Sequence, residues 1–293
     1  MHHIQKAIFL PLLAAFLCVP AMYAQAPAGR GNPDAGWVWI EQLSGSVNSF
    51  GPILATTSSG GYNFNSHLGV IAGLPFYSVH NSTAATSSSV NGIGDLFGGV
   101  RLVFALPLIS YRMSLIGTAP TGDTAKGLGI GQTGYDWTHH VDVSIGRLTP
   151  FANAGLTNSP YQSLLVQRQF VSAGHAAHFE LGSTVHVIGP LSASGSFYDI
   201  EPWGPQTLLS QVVTAGGPAA GGPGHGQAFA SGHQTVGTST VTRDRGLNAG
   251  ANVRVAPAIE LWTAYNHSNS FALNTISFGI TVDMLGVIHR ARE

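Results

Sequence analysis

The chain has 293 residues, a formal net charge of −1 and charged side chains at 9% of its positions. A soluble domain carries charges at about a quarter of its positions, and a mean hydropathy of +0.19 is high for such a domain. A near-neutral chain offers no basic surface to nucleic acid, so we expect no nucleic-acid partner.

The first 24 residues have the pattern of a secretory signal peptide. Lys6 precedes an apolar run that is shorter than the ~20 residues of a membrane-spanning helix, and small residues follow up to Ala24. We predict cleavage after Ala24 and a flexible Pro/Gly-rich leader over residues 25–35. The chain's single cysteine, Cys18, would leave with the signal peptide, which excludes disulfides, cysteine nucleophiles and thiolate metal sites.

From Gly36 onward, short segments alternate apolar and polar side chains one for one. Over residues 135–145 the odd positions are apolar or aromatic except for His139, and the even positions are polar. A period of two places the two classes on opposite faces of a β-strand. In chain order, the predicted strands are 36–48, 52–64, 68–78, 95–105, 109–118, 135–145, 150–156, 170–187, 191–200, 247–255, 258–266 and 276–284.

The connections between these segments alternate in length. Short turns at 106–107, 189–190 and 256–257 alternate with longer loops, and this asymmetry is typical of the periplasmic turns and extracellular loops of membrane barrels. The predicted loops cover residues 81–91, 119–132, 157–168 and 203–243, and the last of these contains a long Gly/Pro-rich insertion over 204–242.

These patterns predict an all-β fold, an antiparallel transmembrane β-barrel of about 12 strands over residues 36–293. Only helices and closed barrels satisfy their backbone hydrogen bonds in lipid, and no later segment is long enough for a spanning helix. Ten or fourteen strands remain open, and a soluble β-sandwich is the competing fold. The expected location is the bacterial outer membrane, with its lipids and its assembly machinery as partners.

Charged side chains gather on one face of the predicted strands. An Arg that faces lipid at the bilayer midplane costs about 2–4 kcal/mol, so this face should line the lumen. The arrangement predicts either a polar constriction that selects solutes or a salt-bridged plug that fills a narrow barrel. The predicted pore-lining residues are Arg101, Arg112, Asp136, Asp142, Glu180, Arg254 and Asp283, with Asp95 and Glu260 on the same face.

Histidine is plentiful, but its spacing does not predict a metal site. His139 and His140 are adjacent and face opposite sides of a strand, so they cannot bind one ion together. His140 and Asp142 share a face, which leaves a serine hydrolase as an alternative, although no serine can be assigned as its nucleophile. We expect no cofactor and no metal.

The centre of the chain resembles a known family. Gly92-Ile93-Gly94-Asp95-Leu96, the segment 117–123 and the Gly-rich stretch 127–131 are similar to outer-membrane proteins of the phenol-degradation meta-pathway type. The resemblance covers about residues 91–156. It implies a β-barrel that moves small, often hydrophobic solutes across the outer membrane. Such barrels usually end on an aromatic residue, whereas residues 285–293 here follow the last predicted strand.

The sequence therefore favours a passive, porin-like channel for small and often hydrophobic or aromatic solutes. Two alternatives stay open. One is a structural or adhesion barrel whose extracellular loops carry the function, and the other is a lipid-modifying outer-membrane hydrolase.

Overall fold

The computed structural model describes residues 35–48, 51–83, 86–163, 170–210 and 234–290. The expected signal peptide at 1–24, residues 25–34 of the expected leader and the centre of the Gly/Pro-rich insertion at 211–233 lie outside the described residues. Sixteen strands are present in the described part of the chain. They are β1 Gly36–Asn48, β2 Gly51–Asn63, β3 Leu68–Thr83, β4 Thr86–Ile93, β5 Leu96–Ala105, β6 Ile109–Ala119, β7 Gly134–Val143, β8 Leu148–Thr157, β9 Phe170–Ala173, β10 Ala176–Ile188, β11 Leu191–Pro202, β12 Gln206–Ser210, β13 Gln234–Gly237, β14 Asp244–Ala256, β15 Ile259–Ser268 and β16 Leu273–Asp283.

Twelve of these strands form one closed antiparallel barrel. The wall runs β1, β2, β3, β5, β6, β7, β8, β10, β11, β14, β15, β16, and each strand pairs with the next. The last strand returns to the first, with Ile40 opposite Asp283 and Val47 opposite Ile276. Closure leaves no free strand edge in the wall, and this satisfies the backbone in lipid.

The alternation in the sequence appears directly as two faces of the wall. From Gly51 to Gly60 in β2, buried and exposed residues alternate one by one. The exposed face carries large apolar side chains, such as Leu181 and Phe197, while the buried inward face carries Ser, Thr, Asn and charged groups. An apolar outer surface with a polar interior is the arrangement that a bilayer stabilises.

The two ends of the barrel differ. The N-terminal end of β1, the C-terminal end of β16 and the short turns after β2, β5, β7, β10 and β14 share one end, which we call the turn end. The longer connections after β6, β8 and β11 share the other, which we call the loop end.

The predicted loop at 81–91 is wrong. β3 extends to Thr83, and β4 pairs with its outer half from Phe76 opposite Ile93 to Thr83 opposite Thr86. This hairpin extends the wall at the loop end. Ser and Thr are compatible with strands, so a Ser/Thr-rich segment forms a ladder once its partner strand is fixed.

The predicted single strand at 170–187 is also wrong. Gly174, at φ +143°, separates β9 from β10, and this backbone conformation suits only glycine. β9 pairs with β12, and β12 pairs with β13, in a separate three-stranded sheet. The Gly/Pro-rich insertion therefore contains two short strands, one at each flank of its centre.

A packed cap covers the loop end. It is formed by residues 120–133, the helix α1 (Pro160–Ser163), β9 and β12. Tyr161, Phe170 and Leu208 of this cap form one buried cluster with Ala176 and Ile200, which lie on the inward faces of β10 and β11. The cap therefore packs into the mouth of the barrel. We call this assembly the loop cap.

The lumen is more open toward the turn end. Along the inward face of β10, Ala176 and His178 are buried, Glu180 is half-buried and His186 is exposed. β14 repeats the trend, from buried Asp244 to half-buried Arg254. Side chains therefore fill the interior next to the loop cap, and solvent has access to the interior from the turn end.

After β16 the chain forms a short helix, α2 (Met284–Arg290), at the turn end. The Gly286 N–H donates to Asp283 Oδ1 at 3.1 Å, so Asp283 caps this helix. No helix within the described ranges is long and apolar enough to cross a membrane.

Candidate functional site in the lumen

A continuous line of polar side chains crosses the inward face of the barrel. It runs over β6, β7, β8, β10, β11, β14 and β15, and each member bonds to at least one other member. We call it the polar belt. Its members are Arg112, His140, Asp142, Asn153, Glu180, Ser196, Asn248 and Asn266.

Three residues of β6 and β7 form one end of the belt. Arg112 lies opposite His140 in the strand register, and Asp142 is two residues further on the same face. Arg112 Nη2 lies 2.8 Å from Asp142 Oδ1 and 2.6 Å from His140 Nε2. The carboxylate of Asp142 offsets the positive charge of Arg112. Both side chains lie on the inward face of the wall, away from lipid.

Both ring nitrogens of His140 have partners within the belt. Nε2 lies 2.6 Å from Arg112 Nη2 and 2.9 Å from Asp142 Oδ1, and Nδ1 lies 2.6 Å from Asn153 Oδ1 on β8. These contacts fix the orientation of the imidazole between three strands. Phe151, also on β8, stacks on the imidazole with the ring centroids 5.8 Å apart.

Glu180 on β10 accepts hydrogen bonds from both directions along the belt. Asn153 Nδ2 donates to Oε2 at 2.7 Å, and Ser196 and Asn248 donate to Oε1 at 2.5 Å and 3.3 Å. Asn266 in turn donates to Asn248 Oδ1 at 2.8 Å. Glu180 is therefore the common acceptor of a network that spans strands from β8 to β15.

A second polar group lies nearer the loop end. Asp136 Oδ1 accepts from the Thr138 hydroxyl at 2.5 Å, and Asp136 Oδ2 lies 3.3 Å from His178 Nε2 on β10. All three side chains face inward and are largely buried. This group lies between the polar belt and the loop cap.

The opposite part of the wall is different in character. Over their described residues, the inward faces of β1, β2 and β3 carry no charged side chain, and Ile53, Ala55 and Val79 are buried there. Arg101 on β5 marks the edge of this region, where its Nη2 donates to Asn63 Oδ1 at 3.1 Å. The lumen thus has an uncharged, partly apolar side and a hydrogen-bonding, charged side.

All seven predicted lumen residues occupy inward positions in the alternation of their strands. Three of them, Arg112, Asp142 and Glu180, belong to the polar belt. Arg101 and Asp136 lie outside it, and Arg254 lies toward the turn end, opposite Glu260 in the register. The seventh, Asp283, ends β16 and caps α2.

Sequence reasoning missed the uncharged members of the belt. Asn153 joins His140 to Glu180, and Asn248 and Asn266 extend the network from Glu180 to β15, but the sequence prediction of inward residues rested on charge alone. The alternation gave part of the signal, because Asn153 and Asn248 each stand between apolar neighbours in their strands.

The structure does not assemble the proposed serine hydrolase at His140. Both of its ring nitrogens are bonded within the belt, to Arg112, Asp142 and Asn153. A serine does contact a histidine elsewhere, where Ser192 Oγ lies 2.9 Å from His186 Nδ1 near the turn end. Among the described residues, no group of three or more His, Cys, Asp or Glu side chains could hold a metal ion.

No family model matches the chain, and no curated protein matches its sequence. Among solved structures, an outer membrane channel from Pseudomonas putida F1 is similar with a TM-score of 0.54 and 14% identity, covering 90% of this chain and 99% of that one. The fold is that of an outer-membrane β-barrel. The NanC porin and the CymD monoaromatic hydrocarbon channel have TM-scores of 0.46 and 0.42, with identities of 8% and 9%. They cover 83% and 86% of this chain, and the matches span 100% and 89% of their own chains.

The expected all-β antiparallel barrel of twelve strands is confirmed. The motifs that resemble the phenol-degradation family have a structural role here. Asp95 of the Gly92–Leu96 segment accepts hydrogen bonds from the backbone N–H groups of Gly122 and Ile130, at 2.8 Å and 3.0 Å. This carboxylate therefore fastens the loop 120–133 to the wall. We call it the Asp95 latch.

Proposed function

We propose that this barrel is a passive outer-membrane channel for small solutes that combine an apolar or aromatic part with a hydrogen-bonding group. The observation that carries the proposal is the two-sided lumen. The uncharged side at β1–β3 can contact an apolar ring, while the polar belt opposite it offers both donors and acceptors. Ligand sites commonly pair apolar walls with a few placed polar groups.

The loop cap at the mouth supports a narrow, selective channel over a wide pore. Tyr161, Phe170 and Leu208 pack into the mouth, so a solute that enters from this side has to pass the loop cap. A solute has to give up water to pass a narrow mouth, and an apolar solute loses less hydration free energy there than a sugar or an ion does. The resemblance of residues 91–156 to the phenol-degradation type points to the same class of solute.

The two alternatives are weaker. A hydrolase at His140 needs a serine within hydrogen-bond reach, and the contacts of that ring are within the belt. A purely structural barrel would not need a charged network on one side of its lumen and an uncharged surface on the other, since side chains of either kind fill a narrow barrel.

The test is solute flux through the purified, refolded barrel in liposomes. We expect faster uptake of a small phenol or aromatic acid than of a sugar of equal mass. The Glu180→Gln variant should reduce uptake of the hydrogen-bonding solute, whereas Asp199→Asn, on the outer face of β11, should leave it unchanged. A folded barrel that passes neither solute would contradict the proposal.

A further inference from the structure

One arginine of the lumen has no acid to balance its charge. Arg101 of β5 occupies an inward position and is only 8% exposed. Its Nη2 donates to Asn63 Oδ1 at 3.1 Å, and within the described ranges no carboxylate lies at ion-pair distance from its guanidinium. A buried charge is costly unless an opposite charge compensates it. Arg101 is therefore a cation that a negatively charged group would stabilise.

The neighbours of Arg101 add further donors. In the strand register, one row across β2, β3, β5 and β6 consists of Asn63, Gly69, Arg101 and Ser114. Gly69 gives Asn63 room to reach across β3, because a Cβ on Gly69 would lie 2.5 Å from Asn63 Oδ1. Among the residues that the structure describes, three buried nitrogens of this region have no hydrogen-bond partner, namely Asn63 Nδ2, Arg101 Nε and, on the adjacent row, Arg112 Nε. We call Asn63, Arg101 and Arg112 the donor patch.

An apolar row lies directly beside the donor patch, toward the loop end. The next inward positions of the same four strands hold Gly61, Ile71, Gly99 and Ile116. Ile116 covers Gly99, where a Cβ would lie 2.6 Å from Ile116 Cδ1, and Ile71 is half-buried on the other side. Successive inward positions of a strand are about 7 Å apart. A single ring that contacts the isoleucines can therefore place an attached acid group at Arg101.

We propose that the donor patch binds the carboxylate of a small organic acid, while the adjacent apolar row contacts the hydrocarbon or aromatic part of the same molecule. A guanidinium presents its donors in a planar fork that matches a carboxylate. Asp142 already compensates Arg112, so Arg101 has one positive charge left for one negative charge of the ligand. The site therefore fits a monocarboxylic acid.

This site deepens the proposed function, because it names the group by which the lumen recognises its solute, and its role in uptake rests on that function. Binding itself does not depend on transport and can be measured alone. Chloride or phosphate would satisfy the same donors but would leave the isoleucines of the apolar row in contact with water, so the two rows together favour an organic acid.

Protection of the purified, folded protein against thermal unfolding tests the site. A ligand that binds the folded barrel raises its unfolding temperature, which heat-modifiable gel mobility records. We expect sodium benzoate to raise this temperature, and benzamide, which has a similar shape and no charge, to leave it nearly unchanged. Sodium chloride at the same concentration is the control for ionic strength. Equal protection by chloride, or no protection by benzoate, would overturn the proposal.

Arg101→Met removes the charge and keeps a long side chain. We expect the apparent Kd of benzoate, taken from protection at increasing concentration, to rise at least about tenfold, which corresponds to about 1.4 kcal/mol. Arg245→Met is the matched control, because it removes the same charge from the outer face of β14 and should keep the wild-type affinity. Equal changes in the two variants would overturn the assignment to Arg101.

Asn63→Asp separates binding from folding. It keeps the shape of the side chain and places a carboxylate beside Arg101, so the protein itself supplies the anion. We expect benzoate protection to disappear while the unfolding temperature without ligand stays at or above the wild-type value. Wild-type affinity for benzoate in Asn63→Asp would contradict the proposal. Liposomes that take up neither benzoate nor benzamide, made with protein that benzoate protects, would contradict the channel and support the site.

Discussion

Glu180 is the residue on which the polar belt depends most, because it accepts hydrogen bonds from Asn153, Ser196 and Asn248. The Glu180→Ala substitution leaves those three donors without their acceptor in a partly buried site. An unsatisfied buried donor costs about 1–3 kcal/mol. We therefore expect Glu180→Ala to lower the temperature at which the barrel unfolds, measured by heat-modifiable gel mobility.

The same residue should influence ion selectivity. Glu180→Gln removes one negative charge from the lumen and keeps the shape of the side chain, so the zero-current potential in a KCl gradient should shift toward anion selectivity. Asp199→Asn serves as the control, since Asp199 lies on the outer face of β11 beside Arg245. Equal shifts in the two variants would mean that Glu180 does not face the permeation path.

Single glycines of the wall give a second residue-scale prediction. A Cβ on Gly61 would lie 2.2 Å from the Val70 carbonyl oxygen, whereas a Cβ on the adjacent Gly60 has its nearest neighbour at 3.9 Å. Overpacking of this kind costs about 1–3 kcal/mol. We expect Gly61→Ala to lower the urea midpoint of unfolding while Gly60→Ala leaves it nearly unchanged. Similar midpoints for both variants would contradict the packing described for β2 and β3.

At the scale of elements, the Asp95 latch connects the wall to the loop cap. Asp95→Ala removes the acceptor for Gly122 and Ile130, so the loop 120–133 should separate from the wall more often. That loop contains Lys126, and we expect faster trypsin cleavage after it, identified by the masses of the two fragments. Asp199→Ala, on the outer face of β11, is the control and should cleave there at the wild-type rate.

Most wall strands could be predicted from alternation because each has one face in lipid and one in the lumen. Alternation failed to predict strands where the two faces do not differ in this way. β3 and β4 extend the wall at the loop end, where the sequence is rich in Ser and Thr and lacks apolar–polar alternation, so the sequence predicted a loop there. β9 directly precedes β10, and the sequence predicted the two as one strand. The break between them depends on the backbone conformation of Gly174, which the alternation of side chains does not reveal.

For the whole molecule, the sequence predicted the closed barrel but not the loop cap. The cap joins Tyr161, Phe170 and Phe271, which are far apart in the chain and carry no shared period. The polar belt was predicted in part, through its charges, because an inward charge is implied by the cost of facing lipid. The contacts of its asparagines depend on which residues of neighbouring strands lie opposite one another, and only the structure supplies that register.

The central claim is that a solute can pass through this barrel, and single-channel recording in a planar bilayer tests it most directly. We predict small, discrete conductance steps, and more frequent or larger steps in Asp95→Ala, because releasing the loop 120–133 opens the mouth. Folded protein that inserts into the bilayer without any conductance, in the wild type and in Asp95→Ala alike, would contradict this account.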